Sequence, residues 1–467
     1  MDFHRIIDSV PDYGTFMTVD EMDASTRRLA EEYPDIVTVF EAGVSRQGHP
    51  LLCIQIGDGP LNALCFACPH PNEPIGAMTM EYFSRALAED KELREELGYT
   101  WYIIKCIDPD GTRLNENWFK GPFNLYHYMR NYFRPVGKEQ VEWTFPVDHK
   151  SLHFNSPLPE TEALMKLIKD KKPKFMYSLH NAGFGGAYWY ISEDMPELYE
   201  NLYESARRQE VSISLGEPEV PSVTEFAPAI YGCISAGQEY DYLEQYGGDP
   251  SVYDCGTSSA DYALTETGEC VTFLTELPYF FDPRIEDLSD SGMTRLEAVQ
   301  KNVEQSRKQH ADLESILVGI RSCIHPDNPF VKLVDQILRY GESGGAAKLK
   351  WAESDPSFKH PAKVSHVFDN LQIASFYHGL SLGLSIRTCE YELDRLSVSA
   401  TESAAVQRLE AARDHGLELL KRLCDRLELE MNYSVIPIQK LVRIQVEGGL
   451  IVSSRIAEKH KDAEISL

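Results

Sequence analysis

Three short stretches of this sequence carry residues whose types and spacing could do chemistry. The first is Cys68-Pro69-His70-Pro71-Asn72-Glu73-Pro74, which follows an apolar run over 61–67 and precedes a helical pattern over 75–88. It reads as a buried strand running into a Pro-punctuated loop that feeds a helix. His70 and Glu73 leave that loop three residues apart, so an imidazole nitrogen and a carboxylate can converge on one ion. Zinc suits the pair, because a catalytic zinc is usually held by three protein ligands plus water. A surface loop with an uninvolved histidine would look the same, so the reading needs a third ligand. Phe175-Met176-Tyr177-Ser178-Leu179-His180-Asn181 offers one: His180 ends an apolar strand and precedes Gly183-Phe184-Gly185-Gly186. It either completes a His/Glu/His set or is a hydrogen-bonded loop histidine. In Val271-Thr272-Phe273-Leu274-Thr275-Glu276-Leu277 a carboxylate is embedded near the end of an apolar strand. A lone buried glutamate is costly and usually has a partner or a job. Beside a metal-activated water, Glu276 could be a general base and then a proton donor.

The elements that must position these groups alternate. Helical periodicity over 18–33 is ended by Pro34, strands follow over 37–42 and 51–56, and further strands over 100–107 and 174–179 flank a helix over 160–169. Strands alternating with helices predict an α/β sheet covered on both faces, with the active site at strand ends. After about Pro283 the texture becomes helical, over 284–324, 328–339, 364–383, 392–430 and 439–456, with Gly341-Glu342-Ser343-Gly344-Gly345 reading as a linker or tight turn.

Of 467 residues, 43% are hydrophobic and 25% charged, which supplies a core for two or three domains and argues against disorder. A net charge of −28 would repel phosphate backbones and anionic membranes, so nucleic acid is not expected as a partner; simple solubility accounts for the charge. No apolar run is long enough to span a bilayer, and the polar opening Met1-Asp2-Phe3-His4-Arg5 does not read as a secretory signal. Ten scattered cysteines without regular spacing suit reduced thiols in a cytoplasmic protein better than a disulfide framework.

Taken in order, these stretches resemble the carboxypeptidase A-like zinc carboxypeptidases (family M14) across roughly residues 12–282. The similarity starts at Tyr13-Gly14-Thr15-Phe16 and Tyr33-Pro34-Asp35-Ile36-Val37. It continues through Gln55-Ile56-Gly57-Asp58-Gly59, the His70–Glu73 loop, Asp108-Pro109-Asp110-Gly111 and Pro159-Glu160-Thr161-Glu162. Ser178-Leu179-His180 and Phe273-Leu274-Thr275-Glu276-Leu277 complete it. The resemblance implies that His70, Glu73 and His180 hold zinc and that Glu276 is the general base. Met129-Arg130-Asn131-Tyr132-Phe133-Arg134-Pro135 is similar to the segment whose arginine polarises the scissile carbonyl, with Arg130 the first choice and Arg134 the second. A surface arginine among aromatics is the other reading of Arg130.

The sequence departs from that family where a substrate's terminal carboxylate would be gripped by an Asn-Arg pair. Val147-Asp148-His149-Lys150-Ser151 keeps an acidic residue and offers only Lys150; Val141-Glu142-Trp143-Thr144-Phe145 offers no cation; Leu114-Asn115-Glu116-Asn117-Trp118 places Glu116 where the arginine belongs. A lysine does not replace a bidentate arginine conservatively. The family's carboxylate behind the first zinc histidine would be Asp148, or else Glu142. Asn72 stands where digestive members have an arginine, and the tyrosine brought down on substrate would fall at Leu264 or the nearby Tyr262.

The expectation is therefore a three-layer α/β/α sandwich around a mixed sheet over 1–284, with an all-helical second domain over 285–467. The implied activity is zinc-dependent hydrolysis of an amide at or near the C-terminus of a peptide or amino-acid conjugate. An amidohydrolase of small N-acyl amino acids and an inactive zinc-binding scaffold are the alternatives. The sequence does not set the oligomeric state.

Overall fold

The structure is a computed structural model that describes residues 3–397 and 403–465. The strands that matter for the site are β1 (Val37–Val44), β2 (Pro50–Ile56), β3 (Leu61–Ala67), β4 (Tyr99–Ile104), β5 (Phe175–Leu179), β6 (Tyr188–Ile191), β7 (Glu225–Ala227), β8 (Ile230–Gly232) and β9 (Val271–Glu276). They form one nine-stranded mixed sheet in the order β1-β2-β4-β3-β5-β9-β6-β8-β7. Its centre is parallel: β3 pairs with β4 and β5, and β5 with β9, all running the same way. Strand alternation divides the core in two. Ala63, Cys65 and Ala67 of β3 face one apolar cluster, and Leu64 and Phe66 face the other. The strands β6, β7 and β8 have no counterpart in the strands expected from sequence; they are short, and β6 is packed with tyrosine and tryptophan whose polar tips blur the apolar pattern.

The helices used below are α1 (Val19–Glu32), α2 (Ile75–Glu89), α3 (Leu125–Asn131), α4 (Pro159–Lys171), α5 (Pro196–Arg208), α6 (Ser259–Thr267), α7 (Arg295–Leu317), α8 (Val331–Ser354), α9 (Ala374–Ser397), α10 (Ser403–Glu430) and α11 (Ile438–Ile465). α4 and α6 pack against each other on one side of the sheet, whereas α2, α5 and α11 pack together on the other. The helical stretch after 285 therefore does not lie apart: its last helix completes a layer on the nine-stranded sheet. Gly449 permits this, since a Cβ there would come within 2.8 Å of the Tyr177 ring of β5. One apolar cluster runs from Ile6 through the sheet to Ala457.

Several helical boundaries differ from the sequence expectation. Within 284–324 the chain forms a 3-10 turn, Pro283–Glu286, and then a strand, Asp290–Thr294, paired with Pro361–Lys363. α7 begins only at Arg295, where Thr294 and Glu297 cap each other's backbone N–H reciprocally. The glycines of 341–345 are not a linker but the inside of α8. Gly341 lies so close to His310 of α7 that a side chain would collide with the imidazole, so glycine there serves helix–helix approach. The helix expected over 364–383 is interrupted by a single π turn, Asp369–Ile373. The helix expected over 392–430 crosses residues 398–402, which lie outside the described residues, as do Met1 and Asp2.

Candidate metal centre and active site

Parallel pairing is what assembles the site. Ala67, Leu179 and Thr275 stand in register on β3, β5 and β9. Each of these neighbouring strands delivers one functional group within a few residues of that line: the His70–Glu73 loop, His180 and Glu276. The chain leaves β3 through Cys68, a non-glycine residue with φ of 53°, which turns the loop sharply. Tyr279 then pins that loop, donating from its hydroxyl to the Asn72 carbonyl at 2.9 Å.

His70, Glu73 and His180 are buried and converge. His70 Nδ1 stands 3.1 Å from Glu73 Oε1, His180 Nδ1 3.1 Å from Glu73 Oε2, and the two Nδ1 atoms 3.2 Å apart. Donors about 2.05 Å from a tetrahedral zinc lie ~3.3 Å from one another, so this spacing fits the ion. Glu73 Oε2 is buried without a hydrogen-bond partner among the described residues, a lack that a cation would satisfy. The donor set, two imidazoles and a carboxylate, is one that zinc accepts at catalytic sites.

Electrostatics separate the groups. Burial, with help from the Arg134 guanidinium, pushes His70 down to about 4. Burial acts the same way on His180, but Glu142, Glu73 and Glu276 outweigh it and hold that imidazole well above its ordinary value. Burial would raise Glu73, yet the two histidines keep it well below the usual carboxylate range. Glu276 is raised well above that range by burial, with Glu73 and Glu219 adding to the shift while His180 and Arg134 oppose it. It stands 3.8 Å from His180 Nδ1.

The structure separates the two arginines. Arg130, in the last turn of α3, is ion-paired with Glu390 of α9 and does not line the cavity. The helix ends at Asn131, and the chain beyond it carries Arg134 to the metal loop, 3.1 Å from Glu73 Oε1 and 3.0 Å from the His70 ring nitrogens. Of the two carboxylates considered for support of a histidine, Asp148 is exposed and bonded to His153. Glu142 is buried instead behind the second histidine: its Oε2 lies 3.8 Å from His180 Nε2, and its Oε1 accepts from the Ser259 N–H at 2.8 Å.

The remaining substrate-binding expectations divide as well. Asn72 lines the cavity, with a buried Oδ1 that has no hydrogen-bond partner among the described residues. Lys150 does not; its ammonium is held outside by Asp241 at 2.8 Å and Glu244 at 2.5 Å. Tyr262 packs on Phe145, and Leu264 is exposed, both on α6 away from the cavity. A helix at that position turns toward α4, not toward the metal loop. The cavity, about 390 Å³, is walled instead by Tyr188 and Tyr231, by Glu217 and Glu219, and by Asn302, Lys348, Asp369 and Tyr377 from the helical stretch. Sequence reasoning missed all of these. No local motif marks them, and Asp369 reaches the wall through the π turn, a distortion common at functional sites.

Residues 22–292 match the family described as zinc carboxypeptidase (Peptidase_M14). Curated relatives include carboxypeptidase E of Caenorhabditis elegans, 27% identical over 24% of this chain and 28% of that protein. Zinc carboxypeptidase A 1 of Anopheles gambiae is 29% identical over 24% of this chain and 29% of that protein. The chain thus spans less than a third of the length of these relatives. Among solved structures, carboxypeptidase A from Helicoverpa armigera is similar at 16% identity and a TM-score of 0.35, covering 57% of this chain and 65% of that one.

Proposed function

The chain belongs to the zinc carboxypeptidase family, and on that premise we propose that it hydrolyses an amide bond at or near the C-terminus of a peptide or amino-acid conjugate. The observation that carries the reading is the arrival of His70, Glu73, His180 and Glu276 at the carboxyl ends of three adjacent parallel strands, with Arg134 beside them. His70, Glu73 and His180 would hold zinc, which when bound supplies a Lewis acid and lowers the pKa of water. Glu276, whose burial makes its carboxylate a stronger base, accepts the proton of the attacking water and returns it to the leaving amine. Arg134 donates hydrogen bonds to the oxygen on which negative charge develops. Glu142 and Ser178 stand on the far side of the His180 ring and fix its orientation. With Lys150 held outside the cavity, nothing at that position grips a terminal carboxylate, which supports a substrate other than an ordinary peptide end. Ten free cysteines support a reducing, cytoplasmic setting.

The test combines metal content with turnover on a panel of peptides and acyl-amino acids. Stoichiometric zinc is expected in the wild type and is lost with activity in His70→Ala and His180→Ala. Glu276→Gln keeps the zinc while turnover falls by orders of magnitude. A wild type that neither carries zinc nor gains activity from it overturns the reading.

A further inference from the structure

Arg134 is not placed by its own contacts alone. Asn131 ends α3, and Tyr132 continues in extended backbone with φ of −64° and ψ of 140°. Arg387 of α9 grips the chain at this exit. One of its terminal guanidinium nitrogens donates to the Asn131 carbonyl at 2.7 Å and to the Tyr132 carbonyl at 3.0 Å, and the other donates to the Leu114 carbonyl at 2.9 Å. Leu114 closes the short helix Pro109–Arg113 that follows β4, the neighbour of β3. One side chain thus ties the exit of α3 to the strand beside the one that runs into the His70–Glu73 loop. Charge-assisted bonds from a planar fork are both strong and directional.

The next residue is fixed as well. The Phe133 N–H donates to Asn115 Oδ1 at 2.9 Å, and its carbonyl accepts from Asn115 Nδ2 at 2.9 Å, with Asn115 fully buried. The Phe133 ring meets Phe330 edge to face at 5.5 Å, and the Arg387 guanidinium lies over that same Phe330 ring at 4.3 Å. The carbonyls of residues 131, 132 and 133 are therefore all engaged, and residue 134 is the one that reaches Glu73 and His70. Arg387 comes within range because Gly379, Gly383 and Arg387 follow one another at four-residue intervals along one face of α9. A side chain at Gly383 would collide with the Met129 carbonyl of α3.

The neighbouring Arg130–Glu390 pair joins the same two helices side chain to side chain. Arg387 differs in holding main chain, and in holding it within three residues of Arg134.

We propose that Arg387 is the positioning residue for Arg134: by fixing the main chain at 131–132 it sets that guanidinium beside the metal loop, so that the helical stretch after 285 completes the site. The link to turnover rests on the hydrolase reading; the placement of Arg134 does not.

The test uses the full-length protein and two readouts. The first is the rate at which phenylglyoxal modifies Arg134, followed by mass spectrometry, and the second is steady-state kinetics on the best substrate of the panel. Arg387→Met keeps an unbranched stem against the Phe330 ring and removes the donors. It is expected to raise the labelling of Arg134 severalfold and to leave the zinc content unchanged. Its kcat should fall about 10–100-fold, the scale of a ~1 Å misplacement, with KM within about threefold of wild type. Arg387→Lys, which offers one nitrogen in place of two, should fall between wild type and Arg387→Met, and it carries the test if Arg387→Met does not fold. Because Arg387 acts through Arg134, the double variant Arg134→Ala/Arg387→Met should turn over within about twofold of Arg134→Ala alone. Arg130→Ala, which opens the adjacent helix contact, should label Arg134 at the wild-type rate. Unchanged Arg134 labelling in the Arg387 variants, equal acceleration in Arg130→Ala, or acceleration shared by Arg46 in its Asp108–Glu160 ion pairs overturns the proposal. So do kcat losses that multiply in the double variant. A wild type without turnover, or an Arg134→Ala as fast as wild type, counts against the hydrolase reading, while the labelling still decides whether Arg387 places Arg134.

Discussion

Gln445 offers a direct measure of how far the last helix is part of the core beneath the nine-stranded sheet. It is fully buried on α11. Its side-chain carbonyl accepts from the Thr79 hydroxyl at 2.7 Å, and its amide donates to the His180 carbonyl at 2.9 Å and weakly to Thr275 at 3.5 Å. Gln445→Leu keeps the volume and removes these bonds. It leaves the buried Thr79 hydroxyl and the His180 carbonyl unpaired, at roughly 1–3 kcal/mol each, offset by about 1 kcal/mol of added apolar burial. The net expectation is a loss of about 3 kcal/mol. For a chain of 467 residues unfolding as one unit, the unfolding entropy is about 1 kcal/mol/K, so the melting temperature should fall by ~3 °C. The assay is thermal unfolding of wild type, Gln445→Leu, Thr79→Val and the double variant. Thr79→Val removes the stranded hydroxyl, so the double variant should be less destabilised than the sum of the singles. Strict additivity, or a shift of Gln445→Leu within about 1 °C of wild type, would refute the claim that α11 and the strands leading to His180 and Glu276 share one core.

Arg134→Ala should keep zinc and lose about 10²–10³-fold in kcat, the scale of one donor to a developing oxyanion, whereas Arg130→Ala should cost at most ~1 kcal/mol of stability, as for a half-exposed ion pair, and leave kcat near wild type. The reverse ranking in steady-state kinetics would return the role to Arg130. Asp369 is pushed up to about 7 by burial and by Glu217, with Lys348 opposing, against about 4 in the unfolded chain. Between those values the folded state binds a proton that the unfolded state does not, so this carboxyl makes wild-type stability fall as pH rises from about 4 to about 7, by up to ~4 kcal/mol. Urea denaturation across that window should show a flatter profile for Asp369→Asn, and parallel profiles would show that Asp369 is not the group responsible.

The sequence alone determined the groups whose chemistry is local. The His70–Glu73 loop announces itself because a Pro-punctuated turn after an apolar run constrains both side chains within three residues. His180 and Glu276 stand at the ends of strands whose apolar runs are continuous, as strands buried on both faces must be. Their convergence then follows from parallel pairing, which aligns strand ends however far apart they lie in the chain. Only the tertiary structure shows that Arg134 and not Arg130 lies against the His70–Glu73 loop, because that placement turns on where α3 stops and on Glu390, 260 residues further along. The same holds for the cavity wall. Glu219, Lys348 and Tyr377 carry no spacing signal, since what brings them together is the docking of the late helices across the sheet. Lys150 and Leu264 illustrate the converse, occupying sequence positions that promised a substrate contact while pointing into solvent. Side-chain direction near a turn or on a short helix is set by what packs against it, and contacts made across hundreds of residues leave no periodicity to read.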